Sequence, residues 1–448
     1  MTTADVLGKW RVTLRPLKTS SQPDTLFVSG RNLIEIRDVI VGDVWICAGG
    51  GNMEFPLSRT GISLERADHV EDAELRFFVM ENKPSAFPEY IGAGHWSVCS
   101  SMSAGGFSAV GYFFARDIRS AWKIPIGMVC CAWDGTPTAA WISEKGLSVQ
   151  PSYSDLLAQY RKGQTQLRAG SQIGSNTGYE QGDFSDSKKI PSVLFNGMIA
   201  PLIPYAISGV IWYQGESEQD NGALQYRRLF PRLIVDWRNN WGQGPFPFYF
   251  VSLAGFGEDN GSSVEHFRDS EGHAGRGWPW IREGQAGALK LPFTGMTVAS
   301  DLGTPDETTP PDKLDVGRRL ALIARHQFYG EVLLDSGPIF NSMRIVGDKA
   351  ILDFDKTGKG LTVGVPPSLS ENKMPSISPV MKGFSIAGAD RRWFPAIAFI
   401  DQNKIVLRSD AVPHPDAVRY NWRGLTDGNL YNMEGLPAAP FRTDSDQP

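Results

Sequence analysis

Residues with an obvious capacity for chemistry are sparse and scattered in this chain. Six histidines (His69, His95, His266, His273, His326 and His414) never pair at helical metal-ligand spacing, and four cysteines (Cys47, Cys99, Cys130 and Cys131) lack the spacing of a zinc or redox motif. Cys130 and Cys131 lie inside the apolar run "IGMVCCAW", so buried free thiols are expected. Polar and acidic side chains concentrate instead in loops that follow apolar runs: residues 48–54, 134–138, 214–221 and 301–312. A loop fed by a buried strand is where a hydrolase carries its nucleophile, its base and the N–H donors for an oxyanion. In "GDVWICAGGGNMEFPL", residues 42–57, glycines stand where such a nucleophile is expected.

Loops of this kind are positioned by a wound parallel sheet. "VGDVWICA" is continuously apolar and feeds glycines, the pattern of a buried parallel strand entering a loop at the C-terminal edge of an α/β sheet. "SAVGYFFARDIRSAWK" (108–123) has helical spacing with Ser108 placed as its cap, and "IPIGMVCCAW" then reads as a second buried strand, which implies a crossover. The alternation continues with a helix predicted over 196–206, the strand of "ISGVIWYQGESEQDN" and the amphipathic helix "QYRRLFPRLIVDWRNNW". The strands "FPFYFVSLAG" and "GMTVASDLG" and a closing helix over 313–330 complete the pattern. Strands alternating with helices predict an α/β fold with its site on the loops beyond the strand C-termini.

Around this unit the texture differs. Residues 10–46 read as short strands, "WRVTLRPL", "DTLFVSG", "NLIEIRDV" and "VGDVWICA". Residues 145–190, rich in Ser, Gly and Gln, read as an insertion or lid. From about residue 331 short strands with frequent turn signals predict a separate all-β domain ending in "NLYNMEGLPAAPFRTD". The expected organisation is a partial N-terminal β segment (1–40), the α/β domain (41–330) and a C-terminal β-domain (331–448).

With 448 residues, 41% hydrophobic, the chain fills a sizeable core. Its 44 basic residues against 49 acidic ones give no broad basic surface, so a nucleic-acid partner is not expected and a small neutral or polar ligand fits better. "MTTADVLGKW" lacks the apolar core of a signal peptide, and no run reaches transmembrane length. No membrane association, metal or cofactor is expected; compartment and oligomeric state stay open.

The segments "GDVWICAGGGNMEFPL", "AWDGTPTAAW", "LFNGMIAPLIPYAISGVIWYQGES", "DLGTPDETTPPDKLDVGRRLAL" and "NLYNMEGLPAAPFRTD", in this order along nearly the whole chain, resemble the sialate O-acetylesterase group of the SGNH (GDSL-type) hydrolases. The resemblance implies a flavodoxin-like three-layer α/β fold and Ser-His-Asp acyl transfer on acetylated sugars. It also implies a further run of β-strands ahead of "GKWRVTL" and, commonly, export. Aligned on it, the nucleophile position falls on Gly51 and the preceding Gln on Gly50. The triad acid falls on Asp306 and the histidine on Thr309. Gly51, Gly135 and Gln214 match its oxyanion donors.

Several positions depart from that pattern. Gly51 and Thr309 supply neither nucleophile nor base, and Asp134 stands where the family has a glycine, its carboxylate opposed to a developing oxyanion. Loss of a triad serine or histidine removes on the order of a millionfold in rate. The sequence therefore predicts an acetylesterase scaffold with negligible turnover, the alternative being a non-catalytic carbohydrate-binding or regulatory protein. Asn52, Glu216, Trp278 and Trp280 are candidate ligand contacts. Asn52 and Glu54 suit loop support better than reaction, Asp306 an exposed loop carboxylate or a helix cap, and Trp133 and Trp212 core packing. A glycine at 51 is expected to accept the strained dihedrals of a nucleophile elbow. His273 is the candidate substitute base.

Overall fold

In the computed structural model the described residues are 2–6, 8–62, 70–174, 186–218, 222–257, 277–365, 376–377 and 380–445. Two N-terminal strands, β1 (Ser20–Ser29) and β2 (Leu33–Val41), pair antiparallel. The central sheet is built from β3 (Asp43–Gly49), β4 (Asp72–Met80), β5 (Gly94–Cys99), β6 (Ile126–Ala132), β7 (Gly209–Tyr213), β8 (Phe248–Ser252) and β9 (Thr294–Val298). Its seven strands lie in the order β5-β4-β6-β3-β7-β8-β9, all neighbours parallel except the edge pair β4 and β5.

The sheet is covered on both faces, as continuously apolar strands require. On one side Trp45 of β3 packs against Phe114 of the helix Ala109–Trp122 and against Phe328, which follows the helix Lys313–Gln327. On the other, Trp212 of β7 meets Trp141 and, from the helix Ala223–Trp241, Phe230 and Trp237. Ser108 caps its helix as the sequence predicts, its side chain accepting from Gly111 N at 3.1 Å. All four cysteines are buried and unpaired.

C-terminal to this unit, separate antiparallel sheets of four, three and four strands surround a second apolar core that includes Leu352, Ile386, Leu407 and Val418. They are tied to the α/β part by polar contacts: Tyr431 donates to Asp301 at 3.3 Å, Thr426 to Ser300 O at 2.5 Å, and Arg442 to Glu283 at 3.0 Å.

Three readings of local structure change. "WRVTLRPL" forms no strand, because the N-terminal sheet consists of β1 and β2 alone and leaves it no ladder to join. The helix predicted over 196–206 is a π turn, Phe195–Ile199, followed by a 3-10 turn, Ala200–Leu202, where Pro201 and Pro204 interrupt the α ladder. β4 and β5 are additions to the sheet that the sequence reading passes over. Within 145–190 lie the helix Ser154–Gly174 and a 3-10 turn, Ser187–Lys189. Residues 175–185 of that segment, like His273, lie outside the described residues.

Candidate functional site

The described residues of the four polar loops gather at the C-terminal ends of β3, β6, β7 and β9. β3 ends on Gly49, whose φ is +142° and whose added Cβ would stand 2.1 Å from Tyr213 O. Only glycine allows that approach of two strand ends. Gly50 N then donates to Tyr213 O at 2.9 Å, and Gly51 opens the one-turn helix Gly51–Glu54, in which Met53 N and Glu54 N both donate to Gly50 O at 3.0 Å.

Gly51 is not strained. It lies outside the left-handed region, contrary to the elbow dihedrals expected from sequence, because it is the first residue of a right-handed helical turn. What a side chain there would have to displace is Asp134: a Cβ on Gly51 would stand 2.2 Å from its Oδ1 and 2.9 Å from its Cγ. Asp134 is exposed, but its backbone is fixed at both ends. Its N–H donates to Glu54 Oε2 at 2.7 Å, and its carbonyl accepts from Lys188 Nζ at 2.5 Å. That ammonium also lies 5.4 Å from the centroid of the Trp133 ring. Burial, eased by the bonds from Asp134 N and Asn82, raises the Glu54 carboxyl above its ordinary range.

Of the expected oxyanion donors, Gly51 N–H and Gly135 N–H form no hydrogen bond among the described residues, and Gly135 sits in a left-handed turn with φ +68°. Gln214 is corrected. Its side chain is fully buried, with Nε2 donating to Thr136 O at 3.1 Å and Oε1 accepting from Thr138 Oγ1 at 2.9 Å. The amide is a brace between β7 and the 134–138 loop, further fixed by Glu218, which accepts from Thr138 N.

Behind Gly51 lies a buried polar network. Asn52 is 1% exposed; its Nδ2 donates to Glu216 Oε1 and, at 2.7 Å, to Thr308 O. Its Oδ1 accepts from Lys313 Nζ at 2.6 Å, and Lys313 donates also to Pro310 O. Asn52 thus corrects from candidate ligand contact to structural clasp, since both ends of its amide are engaged. Burial raises Glu216 above the usual carboxylate range. Lys313, fully buried, is pushed down to about 7 by desolvation, against the opposing pull of Glu216 and Asp312.

This clasp decides whether positions 51 and 309 adjoin. Through the Asn52 to Thr308 bond, the loop after β9 lies against the turn after β3, with Thr309 half-buried one residue further on. The same loop is held by Gly257 N donating to Pro305 O at 3.1 Å, and at its start by Arg319, which grips Asp301 at 2.8 Å through each of two nitrogens. Asp306 is exposed and is not the helix cap; Asp312 is, accepting from Asp315 N at 3.2 Å. Trp278 and Trp280 are likewise corrected. They are 1% and 4% exposed, Trp278 donating to Ala254 O and packing on Phe256, Trp280 packing on Trp422 and under Arg442, so neither offers a face to a sugar.

Sequence reasoning overlooked Lys313. One signal was available: a lysine in the first turn of a helix opposes the macrodipole, which marks it as held there by something else. The described residues of the assembled loops offer carboxylates, amides, threonine hydroxyls, the exposed Ser217 hydroxyl and backbone donors, but no histidine. Such a set can bind a polyhydroxylated ligand.

Comparison with known proteins places this geometry. A family model described as "Carbohydrate esterase, sialic acid-specific acetylesterase" matches residues 192–322. The curated sialate O-acetylesterase of Mus musculus is 28% identical over 484 residues, covering 96% of this chain and 83% of the relative. That of Homo sapiens is 29% identical over 380 residues, covering 77% and 65% respectively. Among solved structures, a carbohydrate acetylesterase from Xanthomonas citri superposes with a TM-score of 0.80 at 37% identity, covering 99% of this chain and 90% of that one.

Proposed function

The chain belongs to the sialate O-acetylesterase family of carbohydrate esterases, and from that premise we propose that it is a member whose acyl-transfer machinery is vacated and whose cleft binds a sugar without turning it over. Asp134 carries this reading: its carboxylate fills the space into which a nucleophile on residue 51 would project. Thr309, at the position of the base, offers a hydroxyl that cannot accept a proton near neutral pH. The Gly51 and Gly135 N–H groups remain as donors, but a carboxylate beside them opposes an oxyanion. The same reading keeps the division of the chain near residues 40 and 330, with the catalytic-type loops all inside the middle part.

Acetate release from p-nitrophenyl acetate and from an O-acetylated sialic acid tests it. The native chain is expected to match the buffer rate. Gly51→Ser with Thr309→His is expected to recover little, because Asp134 still occupies the serine's place. Adding Asp134→Gly is expected to raise turnover at least tenfold over that double variant. Hydrolysis by rigorously purified native protein would sink the proposal and make His273 the first residue to replace.

A further inference from the structure

Gly51 and Asp134 are not independent departures. The backbone at Gly51 accommodates any L residue, so a side chain there is opposed only by the Asp134 carboxylate in its present place. The carboxylate is itself directed by its anchored backbone, with Glu54 on the N–H and Lys188 on the carbonyl. Among the described residues no donor is bonded to its side-chain oxygens, which are exposed. An acceptor thus stands, open to ligand, where an attacking oxygen would otherwise be.

We propose that Asp134 is the specificity-determining residue of this site: its carboxylate takes the volume of a side chain on residue 51 and presents an acceptor to sugar hydroxyls or an ammonium, where a nucleophile would meet an acetyl carbonyl. The proposal rests on the carbohydrate cleft argued above. Hydrogen bonds to an ionised acceptor are the strong ones, so a ligand that brings O–H or N⁺–H to this point is favoured. A ligand that brings a carboxylate or an ester oxyanion into contact with the Asp134 carboxylate meets like charge there. The fitting class is therefore a neutral or amino sugar with free hydroxyls, and an anionic acetylated sugar is disfavoured.

Titration calorimetry of the full chain with glucosamine, N-acetylneuraminic acid and its 9-O-acetyl ester tests the ligand class. Glucosamine is expected to bind the native protein and to lose about tenfold in affinity in Asp134→Asn, the change expected from one charge-assisted contact. Both sialic acids are expected to bind Asp134→Gly more tightly than the native chain. Glucosamine affinity that ignores position 134, or native protein that prefers the acetyl ester, overturns this proposal alone. Silence with every sugar overturns the carbohydrate cleft and this proposal with it.

A second measurement, independent of any sugar, reads the pairing itself. Gly51→Ala is expected to lower Tm by about 1–2 °C in the native chain and by less than half as much when Asp134→Gly is already present. Equal falls in both backgrounds would remove the steric pairing on which the argument stands.

Discussion

The two sides of the site differ in kind. On the side of β3 and β6, Gly51 faces an exposed carboxylate, and the groups concerned are side chains that solvent reaches. On the side of the loop after β9, Asn52 and Lys313 are buried and donate to the backbone carbonyls of Thr308 and Pro310, and Asn52 donates also to the half-buried Glu216. The first side is open to exchange while the second keeps the loops in place. A buried polar network resists replacement, because removing one member strands the others in low dielectric, whereas an exposed side chain above a glycine is exchanged at little cost.

The largest test of that contrast is Asn52→Ala. It leaves Glu216, Thr308 O and Lys313 without their common partner, and a loss of about 3 kcal/mol in urea unfolding is expected. A loss below about 1 kcal/mol would mean that the clasp does not hold the two loops.

Lys313 offers a second test through pH. Its folded pKa is pushed down to about 7 by burial, from an ordinary value of 10.5. Below pH 7 folded and unfolded chains are both protonated there, so the cost of the buried ammonium is fully present. From pH 7 toward 10 the folded chain has released a proton that the unfolded chain retains, and stability rises by up to about 1.4 kcal/mol per pH unit. Denaturant unfolding between pH 7 and 9 is expected to show this rise in the native chain and to lose it in Lys313→Met. Identical slopes in the two proteins would place the amine in water.

The smallest effect distinguishes neighbouring glycines. Gly50 has φ −99° and ψ −157°, and its added Cβ would meet nothing closer than 3.6 Å. Gly50→Ala is expected to be neutral or to stabilise by about 0.5 kcal/mol, through the unfolded chain, while Gly51→Ala destabilises. Thermal melts that rank the two substitutions the other way would break the comparison at its exposed side.

Much of this was legible without coordinates. The runs "VGDVWICA", "IPIGMVCCAW" and "FPFYFVSLAG" read as buried parallel strands because strands covered on both faces have no polar side to alternate with. The quoted segments carried the family, and the polar loops followed from where those strands end. Less legible was anything that depends on what a side chain meets across the fold. Trp278 and Trp280 look like sugar platforms in a loop, but the chain folds them inward against Phe256 and Trp422. Gln214 looks like an oxyanion donor until Thr136 and Thr138 claim both ends of its amide.

The sequence by itself determined the α/β alternation, the family and which residue types the four polar loops contain, because each is a property of residue type and order. Tertiary structure alone decided that Asp134 stands in the space above Gly51, that Asn52 and Lys313 bind the two loops into one site, and that Gly51 is unstrained. Those facts depend on residues far apart in the chain, Asn52 and Lys313 being 261 positions apart. Contacts of that range are set by how the strands order themselves in the sheet, and no local pattern encodes them.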